Sequence, residues 1–130
     1  MISMALIRSG RFAIAAVWLY HGVWNKLLAP VGRHAGIVAT APDLGGWSPR
    51  TTLALIGIGE VLLAVWVLSG TKPRWAAIAQ SLVLVAMNAG GLLWARDQIA
   101  DPGGMIVQNC ALLVLIWIVA HAIPTAKNYA

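Results

Sequence analysis

The chain has 130 residues, of which 60% are hydrophobic and only 10% are charged. Soluble domains are about 45–50% apolar and about 25% charged, so the composition excludes an ordinary soluble domain and indicates a single-domain integral membrane protein. The net charge of +5 does not indicate nucleic-acid binding, because the basic residues are scattered at segment ends, where membrane anchors lie.

Four apolar segments predict four helices that cross the membrane. A spanning helix needs about 20 mostly apolar residues, and residues typical of turns, such as Gly70 and Pro102, separate the segments. We therefore expect an all-α fold, an integral membrane four-helix transmembrane bundle. The predicted helices are residues 12–28, 51–69, 75–94 and 105–123, with a long outer loop over 29–50.

The first segment is the most polar of the four, because Tyr20, His21, Asn25 and Lys26 interrupt it. It resembles a signal peptide at its start, but no cleavage site of small residues follows, so we expect a retained span. Within the long loop, residues 33–41 predict a short interfacial helix.

The Lys and Arg residues favour an orientation with both termini in the cytoplasm. In a four-span bundle the side of the termini carries five basic residues and the other side four, and the more basic side of a membrane protein faces inward. Trp66 and Trp75 then mark the inner interface. The five are Arg8, Arg11, Lys72, Arg74 and Lys127, and the four are Lys26, Arg33, Arg50 and Arg96.

Glu60 is the only charged residue in the apolar stretch 53–68. An ionisable group at membrane depth is costly and marks a candidate functional site. His21, Glu60 and Asn88 each lie about 9–11 Å below the outer end of their apolar segments, counted from Leu28, Leu53 and Trp94. The sequence therefore predicts a polar pocket in the outer half of the bundle, formed by Tyr20, His21, Lys26, Glu60 and Asn88.

Two interpretations of this polar layer stay open. Glu60 and His21 suit proton exchange, since their protonation can change near neutral pH when they are coupled. The same groups can instead form a purely structural ion pair or hydrogen bond between helices. For the amides the structural interpretation is favoured, because hydrogen bonds between membrane helices contribute about 0.6 kcal/mol each. These predicted clamps are Gln80, Gln108 and Asn109.

Metal and thiol chemistry are not expected. Cys110 is the only cysteine, which excludes an intramolecular disulfide and a cysteine-ligated metal site. His21, His34 and His121 show no ligand spacing, so no metal site is predicted. We expect no intrinsic cofactor.

Several motifs resemble the DoxX-like family of small bacterial membrane proteins. The first predicted helix reads Arg11…Tyr20-His21-Gly22-x-x-x-Lys26-Leu27, and the second reads Gly57-x-Gly59-Glu60…Leu68-x-Gly70, followed by Arg74-x-Ala76-Ala77. The family includes a subunit associated with thiosulfate:quinone oxidoreduction and many members without an assigned activity. The resemblance therefore implies a bacterial cytoplasmic (inner) membrane and a quinone-linked redox setting. It points to His21, Gly22, Lys26 and Glu60.

The leading hypothesis is an accessory or quinone-interacting subunit of a membrane redox system. In that role His21, Tyr20 or Lys26 donates to a quinone carbonyl and Glu60 exchanges the proton. The alternative is a structural or assembly subunit that packs against a larger membrane complex, and a small-molecule carrier is a third class. Whether the chain is an enzyme stays open at this point. The expected partners are the lipid bilayer and another membrane protein or complex, because one-electron chemistry needs a cofactor that this chain does not itself provide.

Overall fold

A computed structural model describes residues 1–28, 33–40 and 45–124, with the backbone alone for 33–35. Within these residues all regular structure is helical, as predicted. Apolar segments form helices here because a backbone inside lipid must satisfy its own hydrogen bonds, and an α-helix does so within one segment. The elements in chain order are α1 (Met4–Leu19), a π-helical segment (Tyr20–Leu28) that continues it, α2 (Arg33–Thr40), α3 (Pro49–Ser69), α4 (Pro73–Trp94), a short 3₁₀ helix (Arg96–Gln98) and α5 (Pro102–Ala122).

The helices begin earlier than the apolar segments indicated, because polar caps extend them. Ser3 accepts from the backbone N–H of Leu6, so α1 starts eight residues before the predicted Phe12. Ser48 and Asp101 cap α3 and α5 in the same way. The short helix predicted over residues 33–41 is present as α2, while Ala41 and Lys127 lie outside the described residues.

Three helices in the described part of the chain are long and apolar enough to cross a membrane: α3, α4 and α5. The predicted fourth span, residues 12–28, is not among them. Its α-helical part is only 16 residues long, and the π segment that follows carries His21, Asn25 and Lys26. Length and composition therefore identify three spans within the described residues.

The first helix (α1 with the π segment) runs antiparallel to α3 along most of its length. Near its start, Arg11 contacts the end of α3, and near its end Lys26 contacts the middle of α3. The first helix also packs on α5, and α4 lies against both α3 and α5. The buried apolar core between these helices consists of Ile14, Ala15, Trp18, Leu63, Ala64, Val67, Ala77, Leu84, Ile116, Val119 and Ala120.

Arg11 closes the end of α3. The last carbonyls of a helix lack partners within the helix and carry partial negative charge. The Arg11 guanidinium supplies both a partner and a positive charge, since Nε donates to the carbonyl of Val67 at 3.1 Å and Nη2 donates to that of Leu68. Gly70 ends the helix with a positive φ of 68°, and a Cβ there would meet the guanidinium at about 3 Å. This link fixes the start of the first helix against the end of α3.

The outer surface of the bundle is strongly apolar, as contact with lipid requires. Leu62 is 63% exposed, Leu82 65%, Leu93 73% and Val107 69%. A soluble protein rarely leaves so many large apolar side chains uncovered over contiguous surface. The surface is consistent with direct contact between the helices and membrane lipid.

Candidate functional site

The centre of the candidate site is an ion pair between the first helix and α3. The Lys26 ammonium donates to both carboxylate oxygens of Glu60, at 2.9 Å to Oε1 and 2.8 Å to Oε2. Lys26 is 3% exposed and Glu60 is 1% exposed, so the pair is shielded from the surroundings. The contact predicted between Glu60 and the polar residues of the first helix is present, and its partner is Lys26.

Two glycines bring the helices close enough for this pair to form. A Cβ on Gly22 would lie 2.7 Å from the carbonyl oxygen of Gly57, and a Cβ on Gly57 would lie 2.9 Å from that of Gly22. Small residues at such positions allow the backbones of membrane helices to approach. Gly22 precedes Lys26 by one turn and Gly57 precedes Glu60 by one turn, so the glycines and the charges share one interface. The backbones touch directly beside the ion pair.

The π segment shapes the surroundings of Lys26. A π-helix forms backbone hydrogen bonds between residues five apart, and such segments occur frequently at functional sites. Lys26 lies five residues after His21, and its Nζ is 3.4 Å from the His21 carbonyl oxygen. Nζ therefore has three acceptors, two of them on Glu60. Every N–H of the buried ammonium group is used.

The rings of Tyr20 and His21 lie beside the pair on the first helix. They contact each other edge to face, with centroids 5.6 Å apart. The His21 ring is half-buried, and its Nδ1 is 3.2 Å from the Asn25 side-chain nitrogen. Tyr20 is 57% exposed and faces away from the core. The His21 backbone carbonyl is the group that accepts from Lys26.

The capped start of α3 changes the depth at which Glu60 lies. Glu60 is the twelfth residue of α3, which begins at Pro49 rather than Leu53. At 1.5 Å per residue Glu60 is about 16 Å from the start of the helix, rather than the 9–11 Å expected. The carboxylate is therefore near the middle of a helix that is long enough to span the membrane.

Asn88 does not contact the ion pair. Its side-chain oxygen accepts from Asn109 on α5 at 2.8 Å, and its nitrogen donates to the Leu84 carbonyl at 2.7 Å. The structure thus brings together Lys26, Glu60 and the His21 backbone, leaves Tyr20 exposed against the His21 ring, and assigns Asn88 to a contact between α4 and α5. Asn109 makes the kind of interhelical hydrogen bond that was predicted for it.

The other two predicted clamps differ from each other. Gln80 is buried on α4 and accepts from the Trp18 indole at 2.8 Å, so it joins α4 to the first helix. Gln108 is exposed on the outer side of α5 and forms no hydrogen bond with the described residues. Gln108 therefore clamps no helix within this part of the chain.

Sequence reasoning missed three features of the site. Trp18 was not identified as the partner of Gln80, and Arg11 was not identified as the cap of α3. The sequence indicated close packing at Gly57, beside Glu60, but its partner Gly22 was missed. One signal was present for the last, since each glycine stands one helical turn before the charged residue on its own helix.

The described residues contain no group of three or more His, Cys, Asp or Glu side chains that is placed to hold a metal ion. The side chains of the site itself offer a carboxylate, an ammonium group, an imidazole and a phenol.

Comparison with protein families relates the chain to small membrane proteins. The model of the DoxX-like family matches residues 15–117, which includes the whole candidate site and most of the chain. Neither the curated proteins nor the solved structures give a significant match. A match over this length, together with the helical architecture, establishes the family: the chain is a membrane protein of the DoxX-like family.

Proposed function

We propose that this chain is an accessory subunit of a membrane redox system, in which the Lys26–Glu60 pair exchanges a proton with a quinone. The observation that supports this most is the burial of both charges between helices of a membrane protein. Charged side chains at this depth are rare, and they mark proton relays and substrate pathways. In this role the buried pair takes up and releases a proton.

Neutral contacts elsewhere in the chain argue that the charges serve more than packing. A buried ion pair contributes little to stability, because desolvation of two charges offsets their attraction. Within the described part of the chain, neutral hydrogen bonds join the helices in three places and avoid that cost. Arg11 is a charged contact at the end of α3, where it binds carbonyls, whereas a charged pair at the middle of α3 favours a role that needs charge. The neutral bonds are Trp18 to Gln80, Asn109 to Asn88 and Trp117 to Ser81.

The position of Tyr20 supports a ligand that arrives through the lipid. Its ring is exposed on the outer surface and contacts the ring of His21. A quinone is soluble in lipid and presents carbonyl oxygens, which accept from a phenol or an imidazole N–H. Reduction of a quinone consumes protons, and the Lys26–Glu60 pair would pass on the proton that the Lys26 ammonium holds against the Glu60 carboxylate. A partner subunit supplies the electrons through its cofactor.

The second candidate is a structural subunit that packs against a larger membrane complex. The closed geometry of the pair favours it, because Lys26 occupies both oxygens of Glu60 and the carboxylate is 1% exposed. In this role the pair simply fastens the first helix to α3. The apolar outer surface then packs on the partner.

Bound quinone distinguishes the two candidates. We expect the chain purified from its native membrane to retain quinone in excess of the bulk lipid, measured by extraction and chromatography. Tyr20→Phe should lower the retained amount several-fold, because it removes the donor at the surface. Glu60→Gln should retain quinone but lose quinone-dependent turnover in the membrane, since an amide accepts a hydrogen bond but exchanges no proton.

Asn109→Leu is the matched control, because it removes an interhelical hydrogen bond that is far from Lys26 and Glu60 in sequence. It should change neither the amount of retained quinone nor the quinone-dependent turnover. Quinone at the level of bulk lipid in the parent chain, together with a stoichiometric large complex, would reject the redox role and support the structural one. Unchanged turnover in Glu60→Gln would reject proton exchange at this residue.

We also propose that the first helix crosses the membrane as a fourth span, in an inner membrane with both termini cytoplasmic. Two contacts support this, since Arg11 meets the end of α3 and Lys26 meets its middle. The contacts on α3 run from Gly57, which packs on Gly22, to Leu68, which lies about 16 Å further along the helix, so the first helix accompanies roughly half of a spanning helix. In a Cys110→Ser background, Ser48→Cys should be labelled by an impermeant thiol reagent from outside, and Thr71→Cys only after the membrane is opened. The opposite pattern would reverse the orientation.

A further inference from the structure

Basic residues from two parts of the chain converge at one end of the bundle. Arg11 binds the carbonyls of Val67 and Leu68, which places the start of the first helix beside the α3–α4 connection. Arg8 lies one turn before Arg11, and Lys72 and Arg74 follow α3 directly. We call the four residues Arg8, Arg11, Lys72 and Arg74 the basic end.

The basic end has no acidic residue among the positions that the structure describes. Glu60 is buried in its ion pair with Lys26. Asp97 and Asp101 follow α4 at the opposite end of the bundle. Asp43 lies outside the described residues. At the opposite end, the described side chains of Arg50 and Arg96 against Asp97 and Asp101 give 2 − 2 = 0, with the side chains of Arg33 and Asp43 both outside the described part, whereas the basic end carries +4. The described bundle is therefore strongly polarised in charge.

Three of the four cations are free to bind a ligand at the level of the lipid headgroups. Arg8, Lys72 and Arg74 are exposed, and Arg74 stands in the first turn of α4, a helix apolar enough to span the membrane. Trp75 beside it is 65% exposed, and exposed Trp side chains mark the boundary between hydrocarbon and headgroups. Basic groups at this level attract the phosphates of anionic lipids.

We propose that the basic end is a headgroup site for anionic phospholipid, with Arg8, Lys72 and Arg74 binding the phosphate. Arg11 positions these side chains by holding the first helix against the end of α3. The assignment requires no redox role, and it applies equally if the chain is a structural subunit.

The test compares lipids that remain bound to the purified full chain. Solubilised from vesicles of equal parts phosphatidylglycerol and phosphatidylcholine, the parent chain should retain mostly phosphatidylglycerol, counted by native mass spectrometry. The triple variant Arg8→Gln/Lys72→Gln/Arg74→Gln should lose this preference by roughly tenfold or more, because each surface cation contributes to attraction. The preference of the parent should also fall in about 0.5 M NaCl, where charges are screened over about 4 Å. Arg11 is left unchanged so that the fold is preserved.

The double variant Arg50→Gln/Arg96→Gln is the matched control at the opposite end and should keep the preference. Equal retention of phosphatidylglycerol by the triple variant, or its loss in the control alone, would overturn the proposal. Inorganic phosphate forms a separate arm: if it raises the thermal stability of the parent chain as much as phosphatidylglycerol does, the site binds free anions and the assignment to lipid is wrong. Unfolding of the triple variant is monitored by circular dichroism, and if it does not fold, the single Arg74→Gln variant must show a reduced preference.

Discussion

Glu60→Leu is expected to destabilise the folded chain by about 3–5 kcal/mol, because it leaves the Lys26 ammonium buried without a counter-ion. Lys26 is 3% exposed and has only the His21 carbonyl, at 3.4 Å, as a remaining acceptor. The measurement is the free energy of unfolding in lipid nanodiscs, or the shift of the unfolding midpoint in mild detergent. Among the substitutions considered for this chain, this one should have the largest effect on stability.

The double variant Lys26→Met/Glu60→Leu separates charge burial from packing. Replacement of both partners by apolar side chains of similar volume is often neutral or stabilising, so most of the loss should be recovered. If the single variant is as stable as the parent, the pair is not buried as described. If the double variant is as unstable as Glu60→Leu, the loss comes from packing and not from the unpaired cation.

The second large loss of stability is expected for Gly22→Ala and Gly57→Ala. Each added Cβ would lie under 3 Å from a backbone oxygen of the facing helix, at 2.7 Å and 2.9 Å respectively. Backbone cannot move aside as a flexible side chain does, so the helices must separate and the contact between Lys26 and Glu60 must lengthen. Overpacking of this kind costs about 1–3 kcal/mol, which exceeds the gain of about 0.5–1 kcal/mol from replacing glycine in a helix.

Gly59→Ala is the control for this comparison, because it is the same substitution in the same helix. A Cβ at Gly59 meets no atom within 4 Å, so the variant should be as stable as the parent or slightly more stable. The three variants are compared by their unfolding midpoints in one detergent. A loss in Gly59→Ala equal to that in Gly57→Ala would show that the glycines act through local helix flexibility and not through close approach.

The helical class and the charged centre of the site could be predicted from the sequence because both follow from the cost of polarity in lipid. That cost makes long apolar helices conspicuous, and it makes Glu60 require a partner at its own depth. Lys26 was one of the candidate partners in the sequence, and in the structure it pairs with Glu60. The functional role assigned to the pair stays a prediction.

The partners of the amides could not be predicted in the same way. Asn88 and Glu60 were placed at one depth, but a hydrogen bond also depends on which helices are neighbours and how each is rotated. Asn88 points to Asn109 on α5, and Gln108, one residue earlier on that helix, points outward. A difference of one residue rotates a side chain by about 100°, which no measure of depth detects.

The extent of the first helix was underestimated for a related reason. A hydropathy window begins where charges end, so Arg8 and Arg11 appeared to precede the helix. In the structure both residues are helical, and the Arg11 guanidinium is satisfied by carbonyls of α3. Such a bond links residues 56 apart in the chain, and local patterns of hydrophobicity contain no information about it.

The ion pair also makes the biogenesis of the protein dependent on the order of synthesis. The counter-ion of Lys26 lies 34 residues later in the chain, so the first helix is made before its partner exists. Lys26 stands near the end of the first helix, and a lysine at membrane depth opposes insertion by up to about 2.5–3.5 kcal/mol until it is paired. If the first helix crosses the membrane as proposed above, it gains this counter-ion only after α3 has been synthesised. We therefore expect chains truncated before α3 to hold their first helix in the membrane less stably than the full chain does.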